Sequence, residues 1–152
     1  AWKCLTADTS NDIGNWAPDV AHSEDYRQCS VKSFGSLPHL AQFREGLPVI
    51  MGGDHASGLQ AEGNLYYGKT SGIGYHGDSE RKVVICLSLG KSSLLRYHWR
   101  PPGSSEHPFA PVDIEIGHGD VYVMSEKATG FDWRCRSKVR VVHAAGSKKY
   151  TT

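Results

Sequence analysis

Four cysteines in 152 residues, none of them set as a Cys-x-x-Cys pair, leave no framework for a zinc knuckle. Cys4, Cys29, Cys86 and Cys135 are scattered, and Cys86 lies within the apolar run Val83-Val84-Ile85-Cys86-Leu87, where a buried thiol is the simplest reading. That pattern suits a reducing, intracellular setting, with a Cys4–Cys29 disulfide as the alternative. Excess charge of either sign is also lacking. A formal net charge of +1 produces no global field that would announce a nucleic-acid or membrane partner. No stretch approaches the roughly 18 apolar residues of a membrane span, and no signal-peptide pattern is present, so no membrane association is expected. Internal repeats and linkers are absent too. Residues 1–152 therefore read as one domain, long enough to bury a core and expected to be a monomer. The first residue is Ala1 rather than Met, which suggests a natural start upstream.

What the chain does have is histidine beside carboxylate. Residues 74–78 read Gly-Tyr-His-Gly-Asp, placing the His76 imidazole two positions before Asp78. His143 lies 67 residues further on, at the end of Val139-Arg140-Val141-Val142. Two neighbouring ligands and one distant one form a 2-His-1-carboxylate face, which suits Fe(II) and leaves positions open for other ligands. The same spelling recurs at His118-Gly119-Asp120, so the motif alone does not choose between them. Spacing does. Several strands of roughly 5–6 residues must separate neighbouring ligands on one strand from a third on a returning strand. The 67 residues after His76 provide that room, and the 25 after His118 hardly do. His118 also sits in a Gly-flanked segment that reads as a tight turn leading into Val121-Tyr122-Val123.

Strands dominate after residue 60. Candidates are 64–67, 72–76, 82–89, 94–99, 112–116, 120–125 and 138–144, separated by turn signals and by a loop at 100–111 dense in Pro, Ser and His. This density predicts a mainly β fold, a barrel or double-sheet jelly roll. A short helix is expected over 37–45, ending before Gly46. Residues 1–35 read as loops with one short strand. The expected organisation is an N-terminal extension or substrate lid over 1–59 and a jelly-roll core over 60–152.

Residues 63–90 resemble the core of AlkB-like Fe(II)/2-oxoglutarate dioxygenases. That family shows an Asn-x-Tyr strand, then His-x-Asp, then an apolar strand ending in Ser-Leu-Gly, here Asn64-Leu65-Tyr66, His76-Gly77-Asp78 and Ser88-Leu89-Gly90. Gly119-Asp120-Val121 matches a downstream strand of the family, and the nearest flavour is the short type of large DNA viruses and algae. The resemblance covers about residues 60–150. It implies a double-stranded β-helix, a virus-encoded intracellular enzyme, and Fe(II) held by His76, Asp78 and His143. It also implies that 2-oxoglutarate is decarboxylated with O2 while a substrate C–H bond is oxidised. Asn64 and Tyr66 match the pair that hydrogen-bonds 2-oxoglutarate. Lys149-Tyr150 stands where the family has Arg-Tyr; a Lys keeps the charge but loses the two-pronged fit to a carboxylate. The family's second Arg would fall beyond Thr152, so either the sequence stops short of it or another base, such as Arg81 or Arg140, takes its place.

The expected substrate is a methyl group on a nucleic-acid base. Residues 126–152 carry seven Lys or Arg against Glu126 and Asp132, which suits a phosphate backbone. Tyr75, Tyr97, Trp99, Phe131 and Trp133 could stack on a base, with Arg96, Arg100, Arg134 and Arg136 on phosphates. Core aromatics are the plain alternative for Trp99 and Trp133. A protein side-chain hydroxylase or demethylase of the same mechanism is a second reading. A non-catalytic cupin-like or lectin-like jelly roll is a third, although Asp78 stands where a cupin usually has its second His.

Overall fold

The computed structural model describes residues 2–7, 30–66, 70–78 and 81–152, with only the backbone described for 2–7 and 30–32. The chain forms two compact units, Ala1–Leu65 and Tyr66–Thr152. The N-terminal unit holds a three-stranded sheet. β1 (Trp2–Ala7) runs between β2 (Ser30–Ser33) and β3 (Ala61–Leu65), parallel to the first and antiparallel to the second. Two strands thus stand in the region where one was expected. Parallel partners are not joined by a tight hairpin turn, so the pairing of β1 with β2 leaves no hairpin signature in the sequence. Cys29 lies outside the described residues.

The helix α1 (Pro38–Met51) starts as expected but continues past Gly46. Pro38 occupies the first turn, where its missing N–H costs nothing. A mid-helix glycine costs only about 1 kcal/mol, too little to stop a helix that is otherwise anchored. Here Leu47 is buried, and Arg44 Nε donates to the Leu59 carbonyl at 2.6 Å. The helix ends at Gly52, which takes a left-handed conformation (φ 72°) and gives its N–H to the carbonyls of Pro48 and Val49.

The second unit is mainly antiparallel β. β4 (Gly72–His76), β9 (Arg140–Gly146), β6 (Ser93–Arg100) and β7 (Val112–Ile116) form one sheet in that spatial order. β5 (Val84–Leu87) pairs with β8 (Val121–Met124) in a second. The chain passes from β7 to β8, and so between sheets, through Gly117-His118-Gly119-Asp120. That turn is held by Asp120 Oδ2, which accepts from Gly117 N–H at 2.7 Å, and by Gly119 at φ 85°. β9 is the buried centre: Val141, Val142 and Ala144 are at most 4 % exposed and join Leu95, Ile116 and Met124 in the core. Two short helices complete the unit, α2 (Glu126–Thr129) and α3 (Lys148–Thr151). Among the described residues, no helix is long and apolar enough to cross a membrane.

Candidate metal centre

His76 and His143 lie directly opposite each other on β4 and β9. They reach this pairing through an irregularity: Ile73 faces Ala145, and three steps along β4 then match two along β9. An extra residue in one strand re-aims the side chains that follow it. The imidazole rings end 4.4 Å apart between centroids. Asp78 follows two residues past the strand, its Oδ1 3.7 Å from His76 Nε2. One ligand atom from each of His76, Asp78 and His143 can be chosen so that all lie within 4.8 Å of one another. First-row metals bond such atoms at about 2.0–2.2 Å, so small side-chain adjustments would close all three on a single ion.

The surroundings fit a metal. His76 Nδ1 lies 2.7 Å from the Gly74 carbonyl. Donating there fixes the tautomer and leaves the Nε2 lone pair for an ion, as backbone carbonyls commonly do for ligating histidines. His143 is buried, and its Nδ1 has no hydrogen-bond partner. Burial, reinforced by the neighbouring His76, lowers its pKa to about 4, with the Ala128 backbone pulling the other way. At neutral pH His143 is therefore an uncharged imidazole with a lone pair to give.

Glycine positions the carboxylate. The Asp78 N–H donates to the Thr129 carbonyl at 2.8 Å, tying the ligand loop to the end of α2. Thr129 is fully buried, and its Oγ1 donates to the Glu126 carbonyl at 2.8 Å. A Cβ on Gly77 would meet the Gly130 carbonyl oxygen at 2.5 Å and the Trp133 Cβ at 2.7 Å. Gly130 itself sits at φ 70°, and a Cβ there would meet the Val141 carbonyl oxygen at 2.5 Å. The middle residue of His76-Gly77-Asp78 is thus glycine because the 130–133 turn lies against it. The other motif does something different: His118 is exposed, and its Nδ1 accepts from the Gly90 N–H at 2.9 Å in the β7–β8 turn.

The remaining expected residues scatter. Asn64 is exposed on β3, its side-chain amide 3.2 Å from Glu62 Oε1. Tyr66 lies within electrostatic reach of Tyr122. Arg140 projects from the face of β9 opposite His143, by strand alternation. Its guanidinium donates to the carbonyls of Pro101, Ser104 and Trp133. The Lys149 ammonium lies 5.6 Å from the centroid of the Tyr150 ring, on α3 rather than on a strand. Tyr75 packs on His98 and His107, and its hydroxyl donates to the Thr151 carbonyl at 3.2 Å. Arg96 forms a two-pronged pair with Asp113 at 2.6 and 2.7 Å, and Arg100 contacts His107 at 3.4 Å. Arg134 is exposed, its guanidinium 5.3 Å from the Trp133 ring centroid, and Arg136 is exposed.

Tyr97 and Trp99 do share a face of β6, and it is the face of His143. Tyr97 stands opposite His143 with rings 5.8 Å apart, and Trp99 stands opposite Val141 and is 38 % exposed. Burial, then the nearby Asp78 and Cys86, push the Tyr97 hydroxyl up to about 12. Tyr122, which the sequence reading passed over, faces Cys86 across β5 and β8. Its hydroxyl is pushed up by burial and by a hydrogen bond with Cys86, and it senses Tyr97 and Tyr66. Tyr97 thus lies within electrostatic reach of Asp78 and Cys86, and Tyr122 within reach of Tyr97.

Among known proteins, residues 7–136 match the family described as the 2OG-Fe(II) oxygenase superfamily. That family uses Fe(II), 2-oxoglutarate and O2, and it implies a jelly-roll fold, in agreement with the two antiparallel sheets and short helix seen here. An uncharacterized protein of Acanthamoeba polyphaga mimivirus is 36% identical over 139 residues, covering 87% of this chain and 51% of its own length. The chain therefore spans about half the length of this relative. No solved structure matches.

Proposed function

Because the chain belongs to the 2OG-Fe(II) oxygenase superfamily, we propose that it is an AlkB-like dioxygenase whose Fe(II) is held by His76, Asp78 and His143 and whose substrate is a methylated nucleic-acid base. The observation that carries the metal reading is the convergence of one ligand atom from each of these three side chains within 4.8 Å. His76, with Nδ1 on the Gly74 carbonyl, and His143, held neutral by burial, would each present a nitrogen lone pair. Asp78 would supply the anionic oxygen, its backbone fixed by Thr129. When bound, Fe(II) with 2-oxoglutarate supplies the oxidative chemistry that a protein side chain cannot. The protein's part would be to fix these ligands on one side and leave the other open.

The substrate reading is supported by what borders this centre. Trp99, on the His143 face, is partly exposed, and Trp133 lies against Gly77 inside the ligand motif. Arg134 and Arg136 are exposed nearby in sequence, whereas Arg96 and Arg100 are engaged with Asp113 and His107. Tyr75 packs on the opposite face of the sheet and is left out of the proposed substrate set. Single-stranded oligonucleotides carrying N-methylated bases, incubated with Fe(II), 2-oxoglutarate and O2, test the proposal. Formaldehyde and succinate released in equal amounts would support it. Coupled turnover of a methylated peptide but not of any oligonucleotide would move the substrate to protein.

A further inference from the structure

On the face of the sheet turned away from His143, two guanidinium side chains start from directly opposed positions. Arg100 on β6 is paired in register with Arg140 on β9. Like charges facing each other across a strand pair repel. Among the described residues the ion pairs are His76–Asp78, Arg96–Asp113 and Lys127–Asp132, and none of them includes Arg100 or Arg140. Asp113, on the same face of β7, is taken up by Arg96, which holds both its oxygens at 2.6 and 2.7 Å. Arg140 is only 5% exposed, and its terminal nitrogens donate to the Trp133, Pro101 and Ser104 carbonyls. Arg100 Nη2 lies 3.4 Å from His107 Nε2, and the His107 ring stacks on His98. Three nitrogens of this cluster, Arg100 Nε, Arg140 Nε and His98 Nδ1, are nevertheless buried without a hydrogen-bond partner. Buried polar groups are nearly always paired, so orphaned nitrogens gathered around two cations call for an acceptor.

We infer that Arg100 and Arg140, with His98 and His107 beside them, bind a phosphate group between the 100–111 loop and the back of β6 and β9. The site is separate from the metal group and stands whether or not that group holds iron. A phosphate dianion matches two guanidiniums in charge, whereas a single carboxylate would leave one of them uncompensated. Guanidinium suits this task because its planar, fixed donors meet phosphate oxygens in pairs, and such charge-assisted bonds are strong. His98 Nδ1 adds a further donor in the matching tautomer or when protonated. Burial and the neighbouring Arg140 hold Arg100 below the usual guanidinium value, as a cation beside a second cation should be. His98, Arg100 and His107 are only half-buried, so a shift of the loop, not of the sheet, admits an anion. Inorganic phosphate and the terminal phosphate of a nucleotide both offer this chemistry.

The test titrates the full chain calorimetrically with inorganic phosphate, adenosine 5′-monophosphate and adenosine, with chloride holding ionic strength constant. Both phosphates should bind saturably and be displaced by sulfate, and adenosine should stay silent. Equal affinities would identify free phosphate as the ligand, and tighter binding of the nucleotide would identify a nucleotide-borne phosphate; either result supports the inference. Arg100→Gln should weaken phosphate about tenfold or more. The double variant Arg134→Gln/Arg136→Gln, on exposed cations, should leave it within about twofold. In the wild-type chain, the imidazole resonances of His98 and His107 should move as phosphate is added while those of His118 stay in place. That measurement decides the matter even if Arg100→Gln folds poorly. Three results would overturn the inference: no saturable binding at constant ionic strength, unmoved His98 and His107 resonances, or a loss confined to the Arg134/Arg136 variant.

Discussion

Two residues spelled alike, His76 and His118, show how little a motif says without its neighbours. His76 faces His143 across a strand pair and stands beside Asp78, while His118 caps a turn by accepting from Gly90. Replacing His76 or His143 with alanine removes one of the three proposed protein ligands. Both variants should lose Fe(II) binding in an equilibrium titration while keeping their far-UV circular dichroism. His118→Ala should keep Fe(II) affinity and turnover within a fewfold. The two structural glycines of the ligand loop make a second prediction. Gly77→Ala drives a methyl into the Gly130 carbonyl and Trp133, and Gly130→Ala adds backbone strain at φ 70°. Each should cost more than about 1 kcal/mol in urea unfolding, and each should weaken Fe(II) binding because Asp78 is displaced. An unchanged urea midpoint in either variant would show that the loop can move aside at no cost. The convergence of His76, Asp78 and His143 was legible in the sequence because metal chemistry restricts residue types and strand topology restricts their spacing. The supporting glycines were not, because a glycine needed for close approach is spelled like a glycine needed for a turn. Tyr122 was missed for the opposite reason. In Val121-Tyr122-Val123 the valines look like the buried positions, yet they face outward and the tyrosine faces in.

At the scale of elements, period-2 alternation and turn residues located most strands of the second unit, and β4 and β7 match the expected ranges to the residue. Helix α1 ran past its expected end because Gly46 lacks the left-handed conformation that terminates a helix, whereas Gly52 has it. What the sequence could not show was the face onto which the 100–111 loop would fold. It lies over the side of β6 away from His143, where the His107 ring stacks on His98 with centroids 4.2 Å apart. Arg140 holds the same loop by the Pro101 and Ser104 carbonyls. Burial and the nearby Arg96 and Arg100 lower the His98 pKa, and burial, His98 and Arg100 lower that of His107. Their folded-state values thus lie below the value of about 6.5 expected in the unfolded chain. Below that pH the unfolded state binds protons that the folded state refuses, so this contribution is complete above pH 6.5 and is lost as pH falls. Thermal unfolding should show a decline in stability from pH 7 towards pH 5 that is shallower in the double variant His98→Phe/His107→Phe. Equal slopes in variant and wild type would mean that the stacked pair does not carry the pH dependence.

At the scale of the molecule, a net charge of +1 conceals a basic C-terminal stretch. Its cations divide by their partners: Arg140 is buried on carbonyls and Lys127 is paired with Asp132 at 2.8 Å, while Arg134, Arg136 and Lys138 are exposed. If the proposed substrate is correct, oligonucleotide affinity should fall with salt at a log–log slope of about −0.7 for each phosphate neutralised on a single strand. Arg134→Ala/Arg136→Ala should shallow that slope, and Trp99→Ala should cost affinity with little change in slope. Salt-independent binding would remove the phosphate contacts from the account.

The central claim is that His76, Asp78 and His143 form the Fe(II) centre of a 2-oxoglutarate-dependent oxygenase. Its most direct test is the visible charge-transfer band that appears when 2-oxoglutarate chelates protein-bound Fe(II) without oxygen, recorded for wild type, His76→Ala and His118→Ala in parallel. The band should form in wild type and in His118→Ala and be absent from His76→Ala. A band that survives in His76→Ala and vanishes in His118→Ala, or that never forms in wild type, would contradict the account.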